Sequence, residues 1–461
     1  MKKLGIIGAG FTGTMTAVQL IEKSRSPIEI TLIYEGESLN KGIAFNPYSE
    51  KHLLNVITGR MSAYPDKPNH FLDWTMRRTS FKNQDRAFIE NSFLPRKLYG
   101  EYISDIWKEA KKKAKNKKIK LTVLNRSVKD LDISENEVSI CFDNNSIKIV
   151  DDCIIATGNH LPSNPIIKNI NFYSSKNYFR NPWDIKSVKN IKNELPILII
   201  GNGLTMVDTV FGCLENGFKG KIFSISSHGF NILSHRYNGP KYSKLIEELG
   251  DNISLYELVK LLNKHIKTAK KLGISPEPII DSLRPYTQKI WTSFSAKEKS
   301  LFISRLRHLW GVARHRIPLD SSYKIQNLRL SGKLHINSGK IIDFIQKPNF
   351  ISAKYFNKKT GNIETINVSR IINCTGPETN LLKIDGCFLK GCLLKDILFQ
   401  DELRLGISTD IKTFKVIKKD GKPHVNLFTL GSNLKGELWE STAVNELRIQ
   451  AEQLAEKLIR R

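Results

Sequence analysis

Leu4-Gly5-Ile6-Ile7-Gly8-Ala9-Gly10-Phe11-Thr12-Gly13 is the stretch whose reading decides the fold. Residues 4–7 form a short apolar run suited to a buried strand. The residues after Gly13 space their apolar positions as a helix does. A second apolar run, residues 28–34, then leads to an acid at Glu35. Strand, glycine turn, helix, strand and acid is the order of a dinucleotide-binding unit. Each glycine has a physical task in it. Gly8 permits the tight turn off the strand. Gly10 lets a pyrophosphate approach the backbone at the helix N-terminus, where free N–H groups and the helix dipole favour an anion. Gly13 lets the helix pack closely on the strand, and Glu35 stands where such units hydrogen-bond a ribose.

The pattern recurs. Residues 196–200 are apolar, Gly201-Asn202-Gly203-Leu204-Thr205-Met206 opens a second helix, and residues 221–226 form another apolar-rich strand. Here Met206 replaces the third glycine, and Ser226-Ser227-His228-Gly229 follows in place of an acid. Each unit leads into a β-rich stretch. In the first half the strands are expected at 121–124, 128–133, 138–142 and 147–150, closing on Ala156-Thr157-Gly158. In the second they are expected at 333–336, 341–346, 350–356 and 363–368, closing on Cys374-Thr375-Gly376. Chance must produce the same order twice, so the repeat is stronger than either motif alone. The predicted fold is α/β: two Rossmann-like dinucleotide-binding domains, one inserted in the other, with β-meanders and a helical insertion. The outer domain takes residues 1–160 and 370–461 and the inner one 161–369, with the insertion at about 240–316. The helical stripe of that insertion (Leu245, Leu249, Leu258, Leu261, Leu262, Phe302, Leu306, Leu309) is most simply core packing. The tail is a strand ending at Gly431-Ser432-Asn433, then Gly436-Glu437-Leu438-Trp439-Glu440-Ser441-Thr442 and a helix to about residue 459, with Ser441 or Thr442 as its N-cap.

Composition excludes several classes. The chain has 461 residues and 40% hydrophobic content, enough for more than one core. No apolar stretch reaches the length of a transmembrane helix. The start Met1-Lys2-Lys3 resembles a signal peptide only until the glycine turn follows it, so a cytoplasmic protein is expected. Six cysteines form no CxxC pair and no metal-ligand set, which disfavours a disulfide framework, a metal site and a redox dithiol. The net charge is +27. Its densest run, residues 111–120, has no interleaved aromatics on which bases could stack, so nucleic acid is disfavoured. A positive field also attracts anionic cofactors.

Over nearly its whole length the chain resembles the YdhS-type FAD/NAD(P)-binding proteins. The carrying segments are Leu53-Leu54-Asn55-Val56 with Gly59-Arg60-Met61-Ser62-Ala63, Pro95-Arg96-Lys97-Leu98-Tyr99-Gly100, Asn181-Pro182-Trp183-Asp184, Gly203-Leu204-Thr205-Met206-Val207-Asp208, Asp281-Ser282-Leu283-Arg284-Pro285, Arg314-His315-Arg316 and residues 436–444. That family is similar to flavin monooxygenases, amine N-hydroxylases above all, and to other NAD(P)H-dependent flavin enzymes. An FAD-dependent NAD(P)H oxidoreductase of the monooxygenase kind is therefore expected, with a flavin reductase or oxidase without oxygen insertion and a non-enzymatic nucleotide-binding redox sensor as the alternatives. The resemblance implies FAD in the outer domain and NADPH or NADH in the inner one, with a small-molecule substrate and molecular oxygen as partners. It implies that Gly8, Gly10, Gly13 and Glu35 hold FAD, that backbone at Val128 meets the adenine, and that Thr157 and Gly158 mark the crossing between domains. Gly431 and Ser432 would meet the ribityl chain, and the helix beginning at Thr442 would face the flavin. Gly201, Gly203 and Thr205 would hold the nicotinamide dinucleotide. Arg60 and Arg96 are further cofactor contacts, and Asn55, Glu437, Trp439 and Glu440 are the candidate catalytic residues. Asp208 is open between a local structural role and a functional one, and Arg314, His315 and Arg316 form a basic cluster. Ser227 and His228 stand where the family often has two arginines, so NADPH and NADH both stay open. From Phe172 the Baeyer–Villiger pattern is not met.

Overall fold

The computed structural model describes residues 1–37, 39–236 and 242–460. Two seven-stranded sheets and a smaller three-stranded one organise the chain. In the first sheet Lys2–Ile7 is central. It pairs in parallel with Ile28–Tyr34 on one side and Asp152–Ile155 on the other. Lys120–Asn125 and Pro423–Thr429 extend it in parallel on the two flanks. Lys415–Ile417 and Thr409–Asp410 finish one edge antiparallel. Parallel strands are covered on both faces, and residues 4–7, 28–33 and 152–155 are all buried.

Helix Phe11–Lys23 packs against helices Arg96–Asn116 and Val444–Arg460, which explains why almost all of it is buried. The apolar stripe expected of the last helix, Val444, Leu447, Ala451, Leu454 and Leu458, is buried throughout. Part of the basic run at 111–120 has a local task. Lys117 Nζ donates to the carbonyls of Ile21, Glu22 and Ser24 at 2.9, 2.6 and 3.2 Å, capping the C-terminal end of the first helix, where a cation is favoured.

The second sheet repeats the first. Ile197–Ile200 is central, between Ile222–Ser226 and Arg370–Asn373, with Leu334–Gln346 and Tyr178–Phe179 beyond them, all parallel. The expected pair of strands at 333–336 and 341–346 is one strand. Leu334–Gln346 leaves the parallel sheet and continues antiparallel to Ile351–Asn357, which pairs with Ile363–Val368. Asn337-Ser338-Gly339 has the composition of a turn. Gly339 instead serves a close crossing, because a Cβ there would lie 2.5 Å from the Phe356 carbonyl oxygen. In the first half the same work is divided between Lys120–Asn125 and the separate antiparallel sheet Val128–Ile133, Val138–Phe142, Ile147–Val150.

The expected division at residue 370 cuts through the second unit, since Arg370–Asn373 hydrogen-bonds with Ile197–Ile200. Helix Leu319–Leu330 ends the crossover between Ile222–Ser226 and Leu334–Gln346, so the helical insertion lies inside a β-α-β connection. Residues 240 and 241 of that insertion, and residue 461, lie outside the described residues. Among the described residues no helix is long and apolar enough to cross a membrane, and no group of His, Cys, Asp and Glu has a metal-binding arrangement. The six cysteines are free.

The loop at 45–64 docks on helix Leu204–Glu215. Tyr48 lies against Gly212, where a Cβ would come within 2.8 Å of its ring, and Ser49 donates to Glu215. His52 Nε2–H donates to the Asp208 carbonyl at 3.1 Å. Arg96 holds the Asp208 carboxylate at 3.0 Å, and its Nε donates to the Leu53 carbonyl at 2.9 Å. Both partners are nearly buried, at 12% and 9% side-chain exposure. Arg96→Met strands a buried carboxylate and is expected to cost about 3–5 kcal/mol. Arg96→Met combined with Asp208→Leu is expected to cost clearly less. Denaturant midpoints and slopes of the two variants test this, and equal losses would refute the pairing as the source.

Candidate functional site

Both glycine turns have the same atomic plan. Gly8 has φ +107°, and a Cβ on it would lie 2.2 Å from the Ala156 carbonyl oxygen; Gly201 has φ +99°, and a Cβ would lie 2.5 Å from the Cys374 carbonyl oxygen. A Cβ on Gly13 would lie 1.8 Å from the Gly8 carbonyl oxygen, so only glycine lets that helix sit so close to its strand. The middle glycines differ in kind. Gly10 would meet only the Gly42 Cα at 3.8 Å, and Gly203 would meet nothing within 4 Å. They border open space at the start of Phe11–Lys23 and of Leu204–Glu215. Neither helix has a side-chain cap or an acid in its first turn. Helices Leu255–Lys271 and Ala296–Leu301, by contrast, carry complete capping boxes. Uncapped N–H groups facing a glycine-lined gap make an anion site. Thr205 lies in the first turn of the second such helix.

Around the first turn the structure brings several predicted residues together. Glu35 is exposed just past Ile28–Tyr34 and accepts from Ser127 Oγ at 3.2 Å, which sets it beside Val128 at the start of the next strand. Asn433 Nδ2 donates to Thr157 Oγ1 at 3.3 Å and to Thr429 Oγ1 at 3.1 Å, and Gly158 follows with φ +75°. Gly431, φ +78°, donates to Gln450 Oε1 at 2.9 Å and accepts from Ser441 Oγ at 2.8 Å, while Gln450 Nε2 donates to Ser441 Oγ at 2.7 Å. Ser432 Oγ is buried with no hydrogen-bond partner among the described residues. Buried hydroxyls are rarely left so, and a ligand hydroxyl there would satisfy it. The closing helix starts at Val444, later than expected. The Ser441 hydroxyl is engaged by Gly431 and Gln450, and Thr442 is exposed ahead of the helix.

The segment at 436–442 faces two ways. Ser441 holds the Gly431 turn, while Trp439 and Glu440 hold the helical insertion. Trp439 is 6% exposed and stacks on Trp291 at 5.0 Å. The Glu440 carboxylate accepts from Trp310 Nε1 at 2.6 Å and Arg314 Nε at 3.0 Å, so it anchors the insertion. Glu437 faces Asp401 and the Thr409 backbone, and burial, with Asp401, pushes its carboxyl up. Arg96, expected at a cofactor, is engaged by Asp208, which also gives Asp208 its structural role. Arg316 pairs with Asp281 at 2.8 Å. Arg60 is exposed at the end of a short 3-10 turn. The Asn55 carbonyl accepts from His235 Nε2 at 3.0 Å.

Some site residues received no role in the sequence reading. Arg284 stands in the charged group with Arg314, Arg60 and Glu440, and burial, then Arg314, pulls its guanidinium down to about 10. Its only sequence signal was membership of the 281–285 segment. His235, Trp291 and Trp310 gave none, since nothing local marks that they meet the Asn55 carbonyl, the Gly436 carbonyl and the Glu440 carboxylate.

Comparison with known proteins agrees with this architecture. Residues 5–160 match a family model described as FAD-NAD(P)-binding. Over 192 residues the chain is 25% identical to the uncharacterized protein YdhS of Escherichia coli (strain K12), a match covering 40% of this chain and 34% of the relative. The chain thus spans about a third of that relative's length. Among solved structures it is similar to an ornithine N-hydroxylase of Kutzneria sp. 744, with TM-score 0.67 and 10% identity over 99% of this chain and 98% of the other. It is similar also to L-lysine 6-monooxygenase of Pseudomonas syringae, with TM-score 0.65 and 12% identity over 100% and 99%. At such identities the likeness is one of fold: two dinucleotide-binding domains of the flavoprotein type.

Burial pushes the His235 imidazole down from 6.5 to about 4. In the folded protein it is therefore neutral at pH 6, while in the unfolded chain it takes up protons below 6.5. The unfolded state binds more protons in that window, so the stability His235 contributes is complete above pH 6.5 and is lost as pH falls toward 4. His235→Gln keeps a donor to Asn55 without titrating. Its unfolding midpoint is expected to fall less between pH 6.5 and pH 4 than that of the unaltered protein, and parallel pH profiles would count against this.

Proposed function

We propose that this protein is an FAD-dependent NAD(P)H oxidoreductase that hydroxylates a small molecule. One observation carries the reading: two uncapped helix N-termini, each behind a positive-φ glycine and each at the centre of its own parallel sheet. The family model over residues 5–160 and the flavoprotein fold support it. The solved neighbours named as ornithine and lysine hydroxylases favour oxygen insertion over simple reduction.

In this reading Gly8, Gly10 and Gly13 hold the FAD pyrophosphate on the first helix, Glu35 the ribose, and Val128 the adenine through its backbone. Thr157, Gly158, Gly431 and the unpartnered Ser432 hydroxyl receive the ribityl chain. Gly201, Gly203 and Thr205 hold NADPH or NADH. Arg96 acts from outside both cofactors, fixing the loop that carries Asn55 and Arg60. When bound, FAD supplies the redox chemistry, taking a hydride from NAD(P)H and passing electrons to oxygen. Net, one NAD(P)H, one proton, one oxygen molecule and the substrate give NAD(P)+, water and the hydroxylated product. Burial excludes water from Trp439 and Glu440 on the insertion side. The N-terminus of Val444–Arg460 contributes a potential that favours negative charge nearby.

The purified protein should be yellow and should bleach with NADPH or NADH. Gly10→Asp is the sharper test. An aspartate at this position caps a helix well, so the variant should fold, yet its carboxylate occupies the anion site and flavin should be lost. Gly203→Asp should retain flavin and lose bleaching by NAD(P)H. A protein that takes no flavin sinks the proposal. NAD(P)H consumption matched fully by hydrogen peroxide, with no oxygenated product from any amine or carboxylate tried, sinks hydroxylation and leaves a flavin reductase.

A further inference from the structure

The two glycine turns differ at the place where a dinucleotide unit reads its ribose. In such units the end of the second strand meets the ribose. An acid there hydrogen-bonds a 2′-hydroxyl, whereas a nearby arginine accommodates a 2′-phosphate. In the first unit that place holds Glu35. In the second it holds Ser227 and His228, just past Ile222–Ser226. Their loop is tied to the second glycine turn. The Gly201 N–H donates to the Ile225 carbonyl at 2.7 Å, and the Asn202 side-chain amide donates to the Phe230 carbonyl. His228 stacks on Phe230, with ring centroids 5.2 Å apart, so the same loop carries it.

Cations gather where the acid is missing. The His308 ring, on the helical insertion, lies 4.4 Å from the His228 ring. Arg307 Nη2 stands 3.4 Å from His308 Nε2. From the turn after Ile351–Asn357, Lys358 Nζ donates to the Ser227 carbonyl at 2.7 Å. Among the described residues none of these four side chains pairs with an acid. Burial, then Arg307 and His228, pulls the His308 imidazole down to about 4, and burial pulls the Arg307 guanidinium down with no acid to offset it. Lys435, which burial and then Arg307 pull down, adds a further cation, and its acidic neighbour Glu440 is held by Arg314. A half-buried guanidinium without a counter-ion is costly, so this group is completed by an anion.

We propose that Arg307, with His228, His308 and Lys358 around it, receives the 2′-phosphate of NADPH, so that the helical insertion selects NADPH over NADH. The inference rests on the oxidoreductase reading above and names its reductant. A planar guanidinium offers paired donors that match phosphate oxygens, and Lys358 adds a point charge. Ile222–Ser226 runs parallel to Ile197–Ile200, so the loop and the glycine turn stand at the same carboxyl end of the sheet, where dinucleotides bind. The charge that the strand end lacks in its own sequence is thus delivered by the insertion, which sits in the connection leaving that strand.

The full-length protein, supplied with FAD in excess so that the first nucleotide site is filled, is titrated by calorimetry with adenosine 2′,5′-bisphosphate and with adenosine 5′-monophosphate. Ionic strength is held constant, because screening weakens exposed charges. The bisphosphate is expected to bind more tightly by about tenfold or more. Arg307→Met is expected to lower bisphosphate affinity about tenfold and leave the monophosphate unchanged, and Arg307→Lys to restore part of the loss. Lys358→Met, at an exposed side chain, is expected to lower bisphosphate affinity about threefold with the fold intact. Gly203→Asp should abolish binding of both nucleotides. Equal affinity for the two, bisphosphate affinity indifferent to Arg307→Met or to Lys358→Met, or binding that survives Gly203→Asp overturns the proposal. Flavin absorbance on the same samples separates the two readings. A yellow protein that binds both nucleotides equally refutes the 2′-phosphate site alone, whereas a protein that takes no flavin yet discriminates through Arg307 refutes the oxidoreductase reading and upholds the site.

Discussion

The ion pair between Arg96 and Asp208 is what the relation between the two nucleotide-binding halves depends on. Removing two charges from water is expensive, and their attraction does little more than offset that cost. The value of such a pair lies in geometry, because a guanidinium that stands 3.0 Å from the Asp208 carboxylate while its Nε donates to the Leu53 carbonyl tolerates few arrangements of its neighbours. Tyr48, His52 and Ser49 complete the same seam on helix Leu204–Glu215 with a ring contact and hydrogen bonds. The loop so fixed is the one that carries Asn55 and Arg60 toward the insertion. A residue remote from the chemistry thus determines where two predicted site residues stand.

The glycine turns were legible because their requirement is local. A positive φ and a helix N-terminus leave a mark within a few residues, and the mark appears twice. The closing helix was legible for the same reason, through the period of Val444, Leu447, Ala451, Leu454 and Leu458. Its first residue was not. Ser441 has the chemistry of a cap, but its hydroxyl is engaged by Gly431 and Gln450, which no local pattern announces. The Arg96–Asp208 pair was hidden likewise: both residues could be singled out, and nothing in either segment says that they meet. Asn337-Ser338-Gly339 misled because composition does not distinguish a glycine that turns the chain from one that lets another strand pass closely. The stripe of the insertion was legible in the same way as the closing helix, since Leu245, Leu258 and Phe302 are buried in one apolar cluster with Leu249, Leu261, Leu262 and Leu306 packed against it.

The surplus of positive charge is organised as well as large. Lys23 pairs with Glu452 and Glu456, joining the first helix to the last. Lys117 caps the first helix, and Lys113 holds Glu22. Exposed pairs of this kind add little stability each, but they fix how the terminal helices lie over the first sheet. The arginines of the insertion are a different population. Arg314 and Arg316 are nearly buried and are matched by Glu440 and Asp281.

Glu440 has φ +63°, a left-handed backbone that costs a non-glycine residue on the order of 1–3 kcal/mol and persists only while its surroundings enforce it. Trp310 and Arg314 are the enforcers, and both belong to the insertion. Residue 440 is therefore a loaded joint. If the insertion shifts, the backbone there has reason to relax, and Ser441 would carry that movement to the Gly431 turn. The packing of the insertion is in this way tied mechanically to the Gly431 turn, across a single residue.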